Sequence, residues 1–386
     1  MEATSVVRSR PANRRELIIE AAATAFAARG YENVAMSAVA EAVGVRPSAL
    51  YRHFANKEAM LAAAFEGYVL DLREALAAGS EGDRFGPLID RTLAHRAAGR
   101  LWIREARYLP ADSVAVVREG LLADLDAVVA APGDGAGARV RSIAVLGVLL
   151  STAMHATESA VPPMRALLSA LVSRAAAGPL AADGAPVVAP RGLPRIAKRE
   201  QILAAAVELF AARTYDGVAL DDIAAAVDLA PSSIYNHFAS KEEILASALH
   251  RANGFVQVDL DEVLAATDDP GLALHAIVER YAGFAVRHPG MTQAIVSEIG
   301  ELTERESAVL IDAQRAYVGE WVHLYGSVDH ADSSARRVAV MAAITAVNQL
   351  ACTPGAPRGA ERAALVTAYG RRILGVDGAR APLPRA

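Results

Sequence analysis

Along this chain, apolar residues recur with a helical period almost without interruption. Ile18, Ala21, Ala22, Ala25 and Phe26 fall at i, i+3, i+4, i+7 and i+8, which predicts one buried face of a first helix. Met36, Val39, Ala40 and Val43 predict a second, short helix, closed by Gly44, which tolerates the left-handed C-cap conformation. A third short helix opens at Pro47, where the missing N–H costs nothing. It turns Leu50 and Phe54 inward and leaves Ser48, Ala49 and Arg52 outward. Asn56-Lys57-Glu58 restarts the chain as a long helix with Leu61, Ala64, Phe65 and Tyr68 on one face. No stretch alternates with period two for long enough to make a strand, so the expected fold is all-α.

The same pattern then returns. RRELIIEAAATAFAARGYENVAMSAVAEAVGVRPSALYRHFANKEAMLAAAF from Arg14 is matched by KREQILAAAVELFAARTYDGVALDDIAAAVDLAPSSIYNHFASKEEILASAL from Lys198. Phe26 maps to Phe210, Tyr51 to Tyr235 and Lys57 to Lys241, always 184 positions on and without a gap. A period of that length suits a whole domain, not a solenoid repeat. The bodies that follow correspond more loosely, with Glu105 against Glu298 and Leu109 against Leu302 at an offset of 193, so insertions have accumulated in body loops. The expected organisation is a first head (14–66), a first body (67–176), a linker (177–194), a second head (195–250) and a second body (251–376). The linker expectation rests on AAAGPLAADGAPVVAPRGLP, from Ala175 to Pro194, which has no amphipathic period.

Composition narrows the function. Hydrophobic residues make up 53% of the chain and aromatics only 5%, because alanine, the best helix former, carries the load. The single Cys352 excludes an internal disulfide and fits a reducing cytoplasm. MEATSVVRSRPANRRE has no apolar core for a signal peptide, and the apolar runs Ser142–Met154 and Val338–Val347 are too short to span a bilayer, so no membrane association is expected. A formal net charge of −5 means that any nucleic-acid affinity must come from local basic patches. Enzyme chemistry finds no foothold. GDGAG at Gly133–Gly137 follows no strand, and His155 with Glu158 lacks a third metal ligand. Neither a metal nor a cofactor is expected.

A short helix, a tight turn and a second short helix with polar outward residues suits a DNA major groove, although the geometry alone also fits a generic three-helix bundle. The sequence detail is more specific. LYRHFANKEAML at Leu50–Leu61 and IYNHFASKEEIL at Ile234–Leu245 carry a Tyr, then His-Phe, then Lys-Glu opening the connecting helix. With the preceding AFAARGY and AVAEAVGVRPS elements, each copy closely resembles the TetR family of bacterial repressors over roughly fifty residues. The tandem layout resembles the two-domain TetR-type regulators of mycobacteria and relatives, which control mammalian-cell-entry lipid-transport operons. The resemblance implies two TetR-like units in tandem, each a helix-turn-helix head with a helical effector and pairing body, binding operator DNA in response to a small molecule. It places Tyr51, His53 and Lys57, with Tyr235, His237 and Lys241, against the DNA backbone or groove floor; hydroxyl, imidazole and ammonium groups all bind phosphate oxygens. Ser48, Ala49 and Arg52 are the expected base readers, matched by Ser232, Ser233 and Asn236, with Arg46 and Ser37 beside them. The arms add Arg8, Arg10, Arg14 and Arg15 before the first head, and Arg191, Arg195, Lys198 and Arg199 before the second.

The heads are not equivalent. The first holds six basic and six acidic residues from Arg14 to Glu66, the second four basic and eight acidic from Lys198 to His250. Asp221 and Asp222 replace Ser37 and Ala38, Asp228 replaces Gly44, and Asn236 replaces Arg52. The expectation is an asymmetric operator with weaker binding by the second head; the alternative is a second head that serves only as a scaffold or partner surface. Both copies have alanine, Ala35 and Ala219, where the family often has a capping Thr or Ser. In the bodies, 140–157 with 163–176 and 335–352 with 360–374 are the expected pairing helices. They would make an intramolecular pseudo-dimer, with further homodimerisation left open. Trp102, Tyr108, Met154 and His155 in the first body, and Phe255, Tyr281, Phe284, Met291 and Trp321 in the second, are candidates for lining an effector cavity, suited to an apolar or lipid-like molecule.

Overall fold

The computed structural model describes residues 14–131, 137–155, 161–178, 193, 195–353 and 360–377. Arg8, Arg10, Arg191, Glu158, most of the GDGAG loop and nearly all of the expected linker lie outside the described residues. The first unit comprises α1 (Arg14–Arg29), α2 (Met36–Ala42), α3 (Pro47–Leu50), α4 (Lys57–Ala77), α5 (Gly86–Ala94), α6 (Gly99–Ile103), α7 (Ala111–Val129), α8 (Gly137–Ser151) and α9 (Val161–Ala176). The second comprises α10 (Lys198–Arg213), α11 (Leu220–Ala226), α12 (Pro231–Ile234), α13 (Lys241–Ala266), α14 (Pro270–Arg287), α15 (Pro289–Ser297), α16 (Glu304–Tyr325), α17 (Ser333–Cys352) and α18 (Ala360–Leu374). Among the described residues the fold is all-α, and the only β-type pairing is an isolated bridge between Ser80 and Asp83. Boundaries drawn at residues 66 and 250 fall inside α4 and α13, because each of these helices runs unbroken from head into body.

The units join through α8, α9, α17 and α18, which pack as a four-helix bundle. Both central helices are apolar on nearly every face: α8 buries Val140 and everything from Ser142 to Ser151, and α17 buries Val338–Val340 and Ala342–Leu350 save Gln349. A helix apolar all round must be enclosed, and here each encloses the other. The approach is closest at Gly147, where an added Cβ would stand 2.5 Å from the Cα of Ala346. Further out, Arg174 Nη1 donates to the carbonyl of Ile373 at 3.0 Å, tying α9 to the end of α18.

The heads attach differently. The first head's core residues, Ile18, Phe26, Leu50 and Phe54, are continuous with the central core through α4. The second head has its own core of Ile202, Phe210, Ile234, Phe238, Leu245 and Leu249. Helix α13 crosses between the two: Ile244 to Leu249 serve the head, and Ala252 to Val263 serve the body.

The obstruction at Gly147 is backbone, which cannot rotate away. Gly147→Val should therefore cost about 1–3 kcal/mol by overpacking, read as a lower unfolding midpoint of the full chain. Gly120→Val, which faces only the tip of Arg73, should cost far less.

Candidate nucleic-acid interface

Each head builds a short exposed helix on an apolar anchor. In α3, Pro47 takes the first position, Leu50 and Phe54 are buried, and Ser48, Arg52 and His53 are exposed. Helix α12 repeats this with Pro231, Ile234 and Phe238, leaving Ser232 and Asn236 exposed and His237 half-buried. Ala49 and Ser233 are half-buried at the matched position, while Arg46 and Ser37 are exposed. Tyr51 is 57% exposed and Tyr235 61%, so neither ring is given to the core. The preceding turns need left-handed backbone: Gly44 has φ +64°, and Asp228 takes the same role at φ +53°. Aspartate tolerates that region better than most residues with a Cβ.

The basic residues divide into two groups. Arg14, Arg46 and Arg52 are exposed. Arg15 sits over the Phe54 ring at 5.3 Å and Arg199 over the Phe238 ring at 4.2 Å. Lys198 donates to the carbonyl of Val227 at 3.2 Å. Lys57 and Lys241, expected on phosphate, also hold the backbone of their own heads. Lys57 donates to the carbonyl of Glu32 at 3.2 Å and lies 4.2 Å from the Tyr31 ring centre. Lys241 donates to the carbonyls of Tyr215 and Val218, at 2.9 and 3.0 Å, and lies 4.1 Å from the Tyr215 ring. An ammonium at the start of the long helix thus closes the turn between the first two helices of each head. Asp222 accepts the Ala219 N–H at 2.9 Å, the half of a capping box that needs no hydroxyl at the N-cap.

An arginine-rich run after α5 fixes the heads to the bodies, a role absent from the sequence reading. Arg100 donates to the carbonyls of Ala27, at the end of α1, and Ala153, beyond α8, each at 3.1 Å. The buried Glu105 carboxylate accepts the Tyr31 N–H at 2.7 Å. Its counterpart Glu298, equally buried, is paired with Arg107 of the first unit. Arg107 also reaches Glu301 at 3.5 Å. Burial raises the Glu301 pKa, and Asp216 of the second head and Glu32 of the first, matched positions in the repeat, push it the same way. Acidic groups of both heads thus act electrostatically on this one cluster. The signal was present in the sequence as charged residues within an otherwise apolar segment.

Of the effector candidates, Trp102, Phe284 and Trp321 are core, Phe255 is exposed and the rest are half-buried. Trp102 packs on Phe65 beneath Arg118, and Tyr108 stacks near Tyr31 with centroids 4.8 Å apart. His155 contacts Arg96 at 3.3 Å, and burial drops its pKa to about 4, so the ring is neutral at pH 7. Phe255, Phe284 and His288 form one aromatic group, and Trp321 is buried edge-on to Tyr281. Met291 packs between the second head's core and the central core. Of these candidates, Met154 and Tyr281 line a cavity of about 230 Å³ where the second head's core meets the central core. Its wall takes Leu249 and Val256 from α13, Tyr317 and Val318 from α16, and Ile344 and Asn348 from α17, with Ile103 and Arg104 entering from the first unit. Tyr281 donates to Asn348 Oδ1 at 2.9 Å across it, and burial pushes the Cys352 thiol in the same wall up to about 11. No helix among the described residues is long and apolar enough to cross a membrane, and no group of three metal-ligating side chains occurs among them.

Residues 18–64 and 202–248 each match the family of bacterial regulatory proteins called the tetR family. Over 119 residues, the chain is 30% identical to the transcriptional activator FasR of Mycolicibacterium smegmatis, a match covering 31% of this chain and 54% of that protein. Over 53 residues it is 40% identical to the transcriptional repressor KstR2 of the same organism, covering 14% of this chain and 26% of that one. Among solved structures, a TetR-family transcriptional regulator from Bordetella parapertussis aligns with a TM-score of 0.44 and 20% identity, over 47% of this chain and 96% of that chain. The chain thus spans about half the length of the first of these curated relatives.

Two measurements test these assignments. Lys241→Met should lower the unfolding midpoint by the loss of its charged hydrogen bonds, about 1–3 kcal/mol. A residue serving only phosphate would leave the midpoint unchanged and reduce the salt dependence of DNA binding instead. For Glu105, burial raises the carboxyl pKa against the opposing pull of the Tyr31 N–H and of Arg104, Arg107 and Arg100. A carboxyl raised on folding holds its proton more tightly folded than unfolded, so stability falls as pH rises from the ordinary carboxylate range through the raised value. Glu105→Gln cannot titrate and keeps an acceptor for Tyr31, so this part of the stability–pH profile should flatten.

Proposed function

We propose that this chain, which carries two tetR-family domains in tandem, is a ligand-responsive transcriptional repressor that grips operator DNA with two non-identical heads. The observation that supports this best is the pair of short exposed helices, α3 and α12. Each is anchored by two buried apolar residues and presents a mostly exposed tyrosine, and both are carried on one covalent frame. In this reading each short helix enters a major groove, with Tyr51 and Tyr235 on phosphates and Arg52 and Asn236 at base edges. Arginine pairs best with guanine and asparagine with adenine, so the half-sites differ. The bundle of α8, α9, α17 and α18 holds the heads at a set spacing, as the interface of a homodimer would. The work is done where DNA is, in the cytoplasm. A small molecule entering the cavity beside α13 presses on the helix that leads into the second head, and favours head arrangements that no longer match the operator.

A second reading keeps DNA contact for the first head alone. The acidic excess of the second head favours it, although Asp222 is spent on its own helix cap.

Selection of binding sites from random DNA, followed by footprinting, separates these readings. The proposal expects two unlike half-sites, with guanine preference lost on Arg52→Ala and adenine preference lost on Asn236→Ala, each costing about 1–3 kcal/mol. Tyr235→Ala should weaken binding about equally across sequences by the loss of one phosphate hydrogen bond, about 0.5–1.5 kcal/mol, with little change in salt dependence because the phenol is neutral. A perfect palindrome rules out the asymmetric operator. A footprint and affinity indifferent to Tyr235→Ala and Asn236→Ala leave only the first head on DNA.

A further inference from the structure

The cavity beside the second head contains one full charge in its wall, and the other unit supplies it. Arg104 follows α6 of the first unit, and its neighbour Ile103 enters the same space. The guanidinium is 3.4 Å from where a Cβ at Gly300 of the second unit would stand. It makes no hydrogen bond or ion pair among the described residues. Two acids bear on it, but Glu105 is committed to the Tyr31 N–H and Glu298 to Arg107. Arg100 and Arg107 add like charge, and burial pulls the Arg104 pKa down, so the cation is under-compensated. Arg104 is half-buried, and a cation drawn partly out of water without a partner is disfavoured; a carboxylate meeting the planar guanidinium fork relieves that cost with directional hydrogen bonds.

The arrangement has no mirror image. At the offset of 193 that matches Glu105 with Glu298, Arg104 corresponds to Ser297 and Arg107 to Gly300, so the second unit returns no cation to the first. The rest of the wall is largely apolar, with Leu249, Val256, Ile295, Val318 and Ile344. About 230 Å³ is below the roughly 300–1,000 Å³ of drug-sized sites, which limits the occupant to a short chain or a single ring.

We propose that this cavity binds a small apolar monocarboxylate, with the carboxylate on Arg104 of the first unit and the hydrocarbon among the second unit's aliphatic side chains. The ligand then bridges the two halves of the chain. As the identity of the effector, this rests on the ligand-responsive reading above; as a binding site, it does not.

Titration calorimetry on the full chain tests it with octanoate and benzoate against 1-octanol and benzyl alcohol. The acids should bind about tenfold or more tightly than the alcohols, and Arg104→Gln should remove that advantage while leaving alcohol binding unchanged. Arg104→Lys should retain part of it. If Arg104→Gln does not fold, Val318→Phe, which narrows the apolar end, should abolish binding of the acids with Arg104 intact. Alcohols binding as well as acids, acid affinity indifferent to Arg104→Gln, acid affinity indifferent to Val318→Phe, or no acid binding at millimolar concentration would each overturn the site. Release of an operator fragment is measured in parallel. An acid that binds through Arg104 without releasing DNA defeats the effector reading alone; an alcohol that releases DNA from both the parent and Arg104→Gln defeats this proposal alone.

Discussion

Everything else in this molecule hangs from the contact between α8 and α17. Two helices that are apolar on nearly all faces have no stable exposed state, and Gly147 lets their backbones meet over Ala346 with no side chain between. Helices α9 and α18 close the bundle, and the remaining body helices fill against it. Because the partners belong to one chain, the pairing is intramolecular and does not depend on protein concentration. The position of each head is then a matter of how it is tied to this frame.

Those ties are where the repeat has diverged. Glu105 and Glu298 are matched residues, both buried, yet one holds a backbone N–H of its own head and the other holds Arg107 of the opposite unit. The first head shares the central core through α4, whereas the second has a core of its own joined through α13 and α15. A buried carboxylate left unpartnered is costly, so each divergence had to be accompanied by a new donor. The repeat thus carries two heads tied differently: the first to its own body through Glu105, the second across the seam through Glu298 and Arg107.

The heads were legible in the sequence because their signals are local. Helical period, Pro47 and Pro231 at helix starts, Asn56 and Ser240 as caps and the left-handed turn at Asp228 are each decided within a few residues. The intramolecular contacts of Lys57 and Lys241 were not legible, because a motif gives a residue's place along the helix but not its partner, and one partner here is a carbonyl brought in by the preceding turn. The cavity was less legible still. Its wall takes residues from α13, α14, α15, α16 and α17 and from the other unit, so no window of sequence contains it. Aromatic side chains were a poor guide, since Trp102, Phe284 and Trp321 fill core; the informative residues were medium-sized aliphatics and a stray arginine.

The seam also sets the scale on which a ligand can act. A bound molecule shifts an arrangement only by the difference in its affinity for two states, and coupling between sites is typically about 1–3 kcal/mol. One charged hydrogen-bonded contact, about 1.5–3 kcal/mol, is of that size, provided it is made in one arrangement and broken in the other. Arg104 meets this condition better than any residue within the second unit alone. It is anchored in the half that carries the first head, close to the Arg100 and Glu105 contacts that hold that head in place. The aliphatic wall opposite belongs to α13, which leads into the second head. In the proposed reading a ligand spanning the two would sense their separation directly, and a displacement across the seam would carry through α13 to the second head.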